Sequence, residues 1–200
     1  DDEQLYMYWR DLDTYDDIFD TAVPSNQIVH GPDPNTNTCD YNGTTYVTPF
    51  TDGSLLHGDS PNLRRAGWGV YFGPHSPANV SQPLRANNQS VYRAELRALA
   101  HVVRVTACHV WVKSDCKSVV NTMNRMLDGQ LTTHQIQQLR DADLWQYIYD
   151  IIRGNEQYYK ITWTPSHLDD GDVLAEQLTE QLGLLRRALV CDALLFGEHA

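Results

Sequence analysis

The sequence predicts an α/β fold, a mixed sheet of five strands with helices on its faces. Three observations carry this. Strand-like and helix-period runs alternate from about residue 45 to 195 in the order β-β-β-α-β-α-α-β-α. The first three strand runs follow one another with no helix between them, as in an antiparallel meander. Two hundred residues with 42% apolar side chains suffice for one packed core.

TTYVTPFTDGS (44–54) and AGWGVYFG (66–73) combine β-branched and aromatic residues and are separated by a polar excursion holding Arg64 and Arg65; residues 79–85 supply the third strand. Pro49 has no amide hydrogen, so it belongs at a strand end or an unpaired position. VYRAELRALAHVVRV (91–105) places Leu96, Leu99 and Val103 at helical spacing among good helix formers. HVWVKSD (109–115) is a short β-branched and aromatic run, and KSVVNTMNRML (117–127) is the helix after it. A strand between two helices makes a β-α-β unit. ADLWQYIYDIIRG (142–154) carries the stripe Leu144, Ile148, Ile151, Ile152 and closes on Gly154. YYKITWTPSH (158–167) is a strand stopped by Pro165, and from Asp172 to about Leu195 the leucines 174, 178, 182, 185 and 189 recur at helical spacing. The tryptophans at 68, 111, 145 and 163 fall on strands or a helix stripe and read as core.

Ahead of this body, 45–197, the chain divides into an acidic segment (1–22) and a linker (23–44). Residues 1–20 hold eight acids against Arg10, interleaved with Leu5, Tyr6, Tyr8, Trp9, Tyr15, Ile18 and Phe19. That is the pattern of a short amphipathic helix or tail lying on the domain. The next stretch is rich in Pro, Gly, Asn and Asp and has no sustained period. The chain begins at Asp1, which is expected of a piece or processed form of something longer.

The formal charge of −11 argues against a general polyanion binder. No stretch approaches the roughly 18 uninterrupted apolar residues of a membrane helix, because Arg104, His109 and Lys113 interrupt the most apolar region. The cysteines at 39, 108, 116 and 191 show no C-x-x-C pair or zinc spacing. Cys108 and Cys116 bracket one strand, which at about 3.3 Å per residue holds them roughly 26 Å apart, beyond disulfide reach. Free thiols and an intracellular setting, nucleus or cytoplasm, are the expectation.

Four acids occupy conspicuous places: Asp52 in TDGS, Glu95 in RAEL, Asp115 at the end of KSD and Asp192 in VCDALL. Each alone has an ordinary explanation. Asp-Gly is a common turn dipeptide, Glu95 a solvated helix residue, Asp115 a helix N-cap and Asp192 an acid on an amphipathic helix. Their joint placement is what matters, because this element order can bring all four to one end of a single sheet.

The run TDGS, GWGVYFG, YRAEL, KSDCKSVV, WTPSH and a late Asp in an Ala/Leu setting resembles the ribonuclease H family, most of all the ribonuclease H domains of retroelement polyproteins. The resemblance covers about 45–195. It implies a ribonuclease H-like fold, three antiparallel strands plus parallel strands flanked by helices. It also implies that Asp52, Glu95, Asp115 and Asp192 bind metal, with Asp172 or Asp170 as alternatives to Asp192. His167 matches the family histidine that assists proton transfer or product release. In that scheme Asp52 bridges two ions, Glu95 and Asp115 hold one of them, and Asp192 completes the set. The implied activity is endonucleolytic hydrolysis of the RNA strand of RNA/DNA hybrids, by a monomer as this fragment, within a larger polyprotein and with no membrane partner.

The chemistry suits those residue types. Hydrolysing a phosphodiester requires a deprotonated water, in-line attack and neutralisation of the leaving 3′ oxygen, and two divalent cations about 3.5 to 4 Å apart serve all three. Mg2+ prefers oxygen ligands, with Mn2+ able to substitute, so carboxylates from several elements fit it better than His or Cys clusters. Selection of RNA would rest on shape and the 2′-hydroxyl, with Ser54, Asn88 and Gln89 as side chains able to contact it. Arg64, Arg65, Arg93, Lys117 and Arg125 are candidates for phosphate contact. Residues 1–20 carry −7, which leaves −4 on residues 21–200, equal to the four proposed acids. Two other readings stay open: a DNA-cutting relative of the same fold, and a catalytically weak or silent scaffold.

Overall fold

The computed structural model describes residues 22–165. All five expected strands are present in one sheet, and two additions refine it. The run expected over 44–54 is divided into β2 (Thr44–Val47) and β3 (Phe50–Leu56). The break falls at Thr48-Pro49, where proline has no amide to give and its carbonyl accepts from the Lys113 amide at 2.8 Å. An extra strand, β1 (Thr38–Tyr41), pairs antiparallel with β2 across Asn42-Gly43, both at positive φ.

The expectation of a linker over 23–44 is therefore corrected. Besides β1, Val29 exchanges backbone hydrogen bonds with Val105 and Ala107, and its side chain is buried in the core. Gly and Asn recur in this stretch because it turns, and Val29 anchors it to the core.

β3 runs antiparallel to β4 (Arg65–Tyr71), and β4 antiparallel to β5 (Val80–Pro83). On the other side β6 (Val110–Ser114) lies parallel to β2 and β3, and β7 (Tyr159–Trp163) parallel to β6. Parallel neighbours need crossovers, and these are helical. α1 (Val91–Val105) precedes β6; α2 (Lys117–Leu127), α3 (Thr133–Ile136) and α4 (Ala142–Ile152) lie between β6 and β7. α3 was not expected; it is one turn held by a capping box between Thr132 and Gln135.

α1 begins where the Ser90 hydroxyl accepts the Arg93 amide. Its Leu96, Leu99 and Val103 meet Trp68 and Val70 of β4, Val112 of β6 and Leu144, Ile148 and Ile152 of α4 in one core. Trp68 and Trp145 are buried as expected. Trp163 is not core: it is 42% exposed, at the end of β7, which forms an edge of the sheet. No helix among the described residues is long and apolar enough to cross a membrane. The acidic segment 1–20 and the helix expected over 172–195 lie outside the described residues.

Candidate active site

Three of the four sequence-predicted acids converge. One carboxylate oxygen from each of Asp52, Glu95 and Asp115 lies within 4.8 Å of the others. The sheet register explains the first and third. β3 and β6 run parallel with Thr51 opposite Ser114, so the next residue of each chain, Asp52 and Asp115, emerges at the same level. Asp52 sits inside β3, paired with Gly69 of β4, and is 6% exposed. The Asp-Gly pair is therefore mid-strand and not a turn.

Gly53 brings in the third acid. A Cβ there would stand 2.8 Å from the backbone nitrogen of Glu95, 3.0 Å from its Cγ and 3.1 Å from Ala94 Cβ. Only glycine lets β3 and α1 approach this closely. At that contact the Gly53 amide donates to Glu95 Oε1 at 2.7 Å. The other oxygen, Oε2, is buried with no hydrogen-bond partner. Burial, then the charges of Asp115 and Asp52, hold the Glu95 carboxyl well above the ordinary carboxylate range.

Three acids gathered with one buried, unbonded oxygen are costly for the protein alone. A hard cation removes that cost by bonding the orphaned oxygen and offsetting the repulsion, and an all-oxygen donor set is what Mg2+ or Mn2+ takes. The residues present fit a divalent metal. Asp192, its alternatives Asp170 and Asp172, and His167 lie outside the described residues.

The substrate-contact expectations divide. Ser54 is half-buried on β3, two residues beyond Asp52, and Lys117 is exposed at the start of α2, two residues beyond Asp115. Asn88 is exposed, with its Nδ2 donating to Asp141 Oδ1 at 3.0 Å. The expectation for Gln89 is revised. Its Oε1 accepts the Ala66 amide, and its Nε2 donates to the Leu84 and Ala86 carbonyls, which commits both ends of the amide to the fold.

Arg93 is likewise withdrawn from the phosphate candidates. It is 7% exposed and forms ion pairs with Asp141 at 2.8 Å and Asp143 at 2.5 Å, joining the start of α1 to the start of α4. Arg64 Nε donates to the Gly58 carbonyl and Arg65 Nη1 to the Arg64 carbonyl, while Arg125 is exposed.

Two site features escaped sequence reasoning. One is the Gly53 contact, masked by the turn preference of Asp-Gly. The other is Trp163, whose Nε1 donates to the Asp115 carbonyl at 3.0 Å.

Comparison with known proteins gives the family and the fold. The ribonuclease H family model matches residues 44–182. A ribonuclease H of Schizosaccharomyces pombe (strain 972 / ATCC 24843) is 25% identical over 142 residues, 66% of this chain and 53% of that protein. The chain thus spans about half the length of that curated relative. Among solved structures, the foamy viral protease-reverse transcriptase in complex with RNA/DNA hybrid shares the fold at TM-score 0.50 and 17% identity, over 81% of this chain and 21% of that one. The solution structure of the prototype foamy virus RNase H domain is similar at TM-score 0.47 and 18% identity, over 68% of this chain and 94% of that one.

Proposed function

The chain belongs to the ribonuclease H family, and on that premise we propose that it is a metal-dependent endonuclease hydrolysing the RNA strand of RNA/DNA hybrids. The observation that carries the reading is the convergence of Asp52, Glu95 and Asp115 within 4.8 Å around a buried, unbonded oxygen of Glu95. In this reading the three acids hold divalent cations, Mg2+ or Mn2+, with Asp192 as the fourth ligand. Two bound ions would supply the charge that makes water nucleophilic near neutral pH and offsets the charge on the leaving 3′ oxygen.

The protein's own part is to hold the acids toward one point. Asp52 is held in a strand paired on both sides, and Glu95 is fixed by the Gly53 amide with one oxygen left over for the ion. In this reading Lys117, exposed at the N-terminus of α2, neutralises a phosphate of the bound strand. Ser54 and Asn88 offer hydrogen-bonding groups for a 2′-hydroxyl, the group that separates RNA from DNA. His167 would serve proton transfer or product release.

The test is cleavage of a hybrid labelled separately on each strand, with Mg2+, by the wild type and by Asp115→Asn. RNA-strand cleavage that falls at least about 100-fold in the variant supports the reading. Equal inertness of the two folded proteins would leave a scaffold, and cutting of the DNA strand would indicate a DNA-directed relative.

A further inference from the structure

We propose that Trp163 is a positioning residue of the metal centre, setting through its indole N–H where the Asp115 carboxylate stands. This rests on the metal-site reading above and adds a residue to it. The three acids are not held alike. Asp52 lies within a strand bonded to neighbours on both sides, and Glu95 lies within α1 with an oxygen fixed by the Gly53 amide. Asp115 belongs to no element: β6 ends at Ser114 and α2 begins at Lys117. Its carboxylate is only as well placed as the two-residue junction that carries it.

The end of β7 holds that junction. The Thr164 amide donates to the Ser114 carbonyl at 2.9 Å, and Trp163 Nε1 donates to the Asp115 carbonyl at 3.0 Å. The Lys117 ammonium stands 4.9 Å from the centroid of the same indole ring. One side chain thus engages the residue that bears the carboxylate and the residue two positions on. The use made of Trp163 is polar. Trp68 and Trp145 supply apolar bulk and are buried, whereas Trp163 leaves 42% of its surface exposed and directs its N–H at the site's backbone. A hydrogen bond to the frame of a ligand acts as outer-shell bonds to ligand side chains do, by fixing the ligand's position before the ion arrives.

The probe is Mn2+ binding to the full chain, measured by titration without substrate, for wild type, Trp163→Phe, Asp115→Asn and the double variant. Phenylalanine keeps a ring for Lys117 and lacks the N–H. The expected result is Mn2+ affinity about 5- to 10-fold weaker in Trp163→Phe, with an unchanged thermal midpoint. In the Asp115→Asn background the same substitution should add nothing. Wild-type affinity in folded Trp163→Phe, or a full additional loss in the Asp115→Asn background, overturns the proposal. Should Trp163→Phe fail to fold, exchange of the Trp163 indole proton in the wild type decides: protection supports the bond and free exchange overturns it. Wild-type Mn2+ affinity in Asp115→Asn would instead remove the metal-site reading itself.

Discussion

Gly53 and Glu95 are in backbone contact: the amide of one donates to the carboxylate of the other at 2.7 Å, and a methyl group at position 53 would overlap the main chain at 95. This contact lets an acid from a helix join Asp52 of the sheet and Asp115 of the junction that follows β6. Gly53→Ala should push β3 and α1 apart, costing about 1–3 kcal/mol and most of the hydrolytic activity. Denaturant unfolding together with hybrid cleavage checks this. A Gly53→Ala protein as stable and active as wild type would show that the approach is not required.

The buried Glu95 carboxyl makes stability depend on pH. Its folded-state pKa is raised, chiefly by burial and then by Asp115 and Asp52. The native state therefore keeps a proton that the unfolded chain has already released, so this contribution is full below the ordinary carboxylate range and is lost as pH rises through the folded value. In chelator-treated protein the thermal midpoint should fall with rising pH above that range. Glu95→Gln should flatten the fall, and saturating Mg2+ should abolish it in the wild type. Identical pH profiles for wild type and Glu95→Gln without metal would contradict the assignment.

Arg93 offers a comparison of buried and exposed partners on one guanidinium. The Asp141 side chain is 5% exposed and the Asp143 side chain 47%. Asp141→Ala removes the buried partner while Arg93 keeps Asp143, so it should cost about 1.5–3 kcal/mol, the loss of a charged hydrogen bond. Asp143→Ala should cost less than about 1 kcal/mol, since solvent screens the exposed partner. Equal losses in denaturant unfolding would argue against this division.

The acidic leader should oppose substrate electrostatically. Residues 1–20 carry −7 of the total −11. Deleting them should tighten hybrid binding at low salt, with the gain fading as ionic strength rises. A titration at low salt in which the deletion changes nothing would deny the leader that role.

Much of this was legible in the sequence because the long elements obey one period each. Val91–Val105 and Lys117–Leu127 match the helix runs read from their apolar spacing, and the strand before Asp115, Val110–Ser114, lies within the run read over 109–115. The parts that were not legible depend on contacts between distant segments. Asn42-Gly43 is a strong hairpin signal, yet it sat in a stretch whose composition reads as linker. Gly53 has the local signature of a turn and is explained only by α1, far along the chain. Arg93 and Gln89 have chemistry that suits a nucleic acid, and the fold uses both internally. Trp163 has the composition of core and ends at an edge.

The most direct test of the metal centre is an anomalous difference map from crystals of the full chain soaked in Mn2+. The account predicts a peak bonded to Asp52, Glu95 and Asp115, and the same map would show whether Asp192 or Asp172 completes the site. Hydrolysis of hybrid RNA by crystals or solution samples in which Mn2+ binds elsewhere, and never between those three carboxylates, would contradict it.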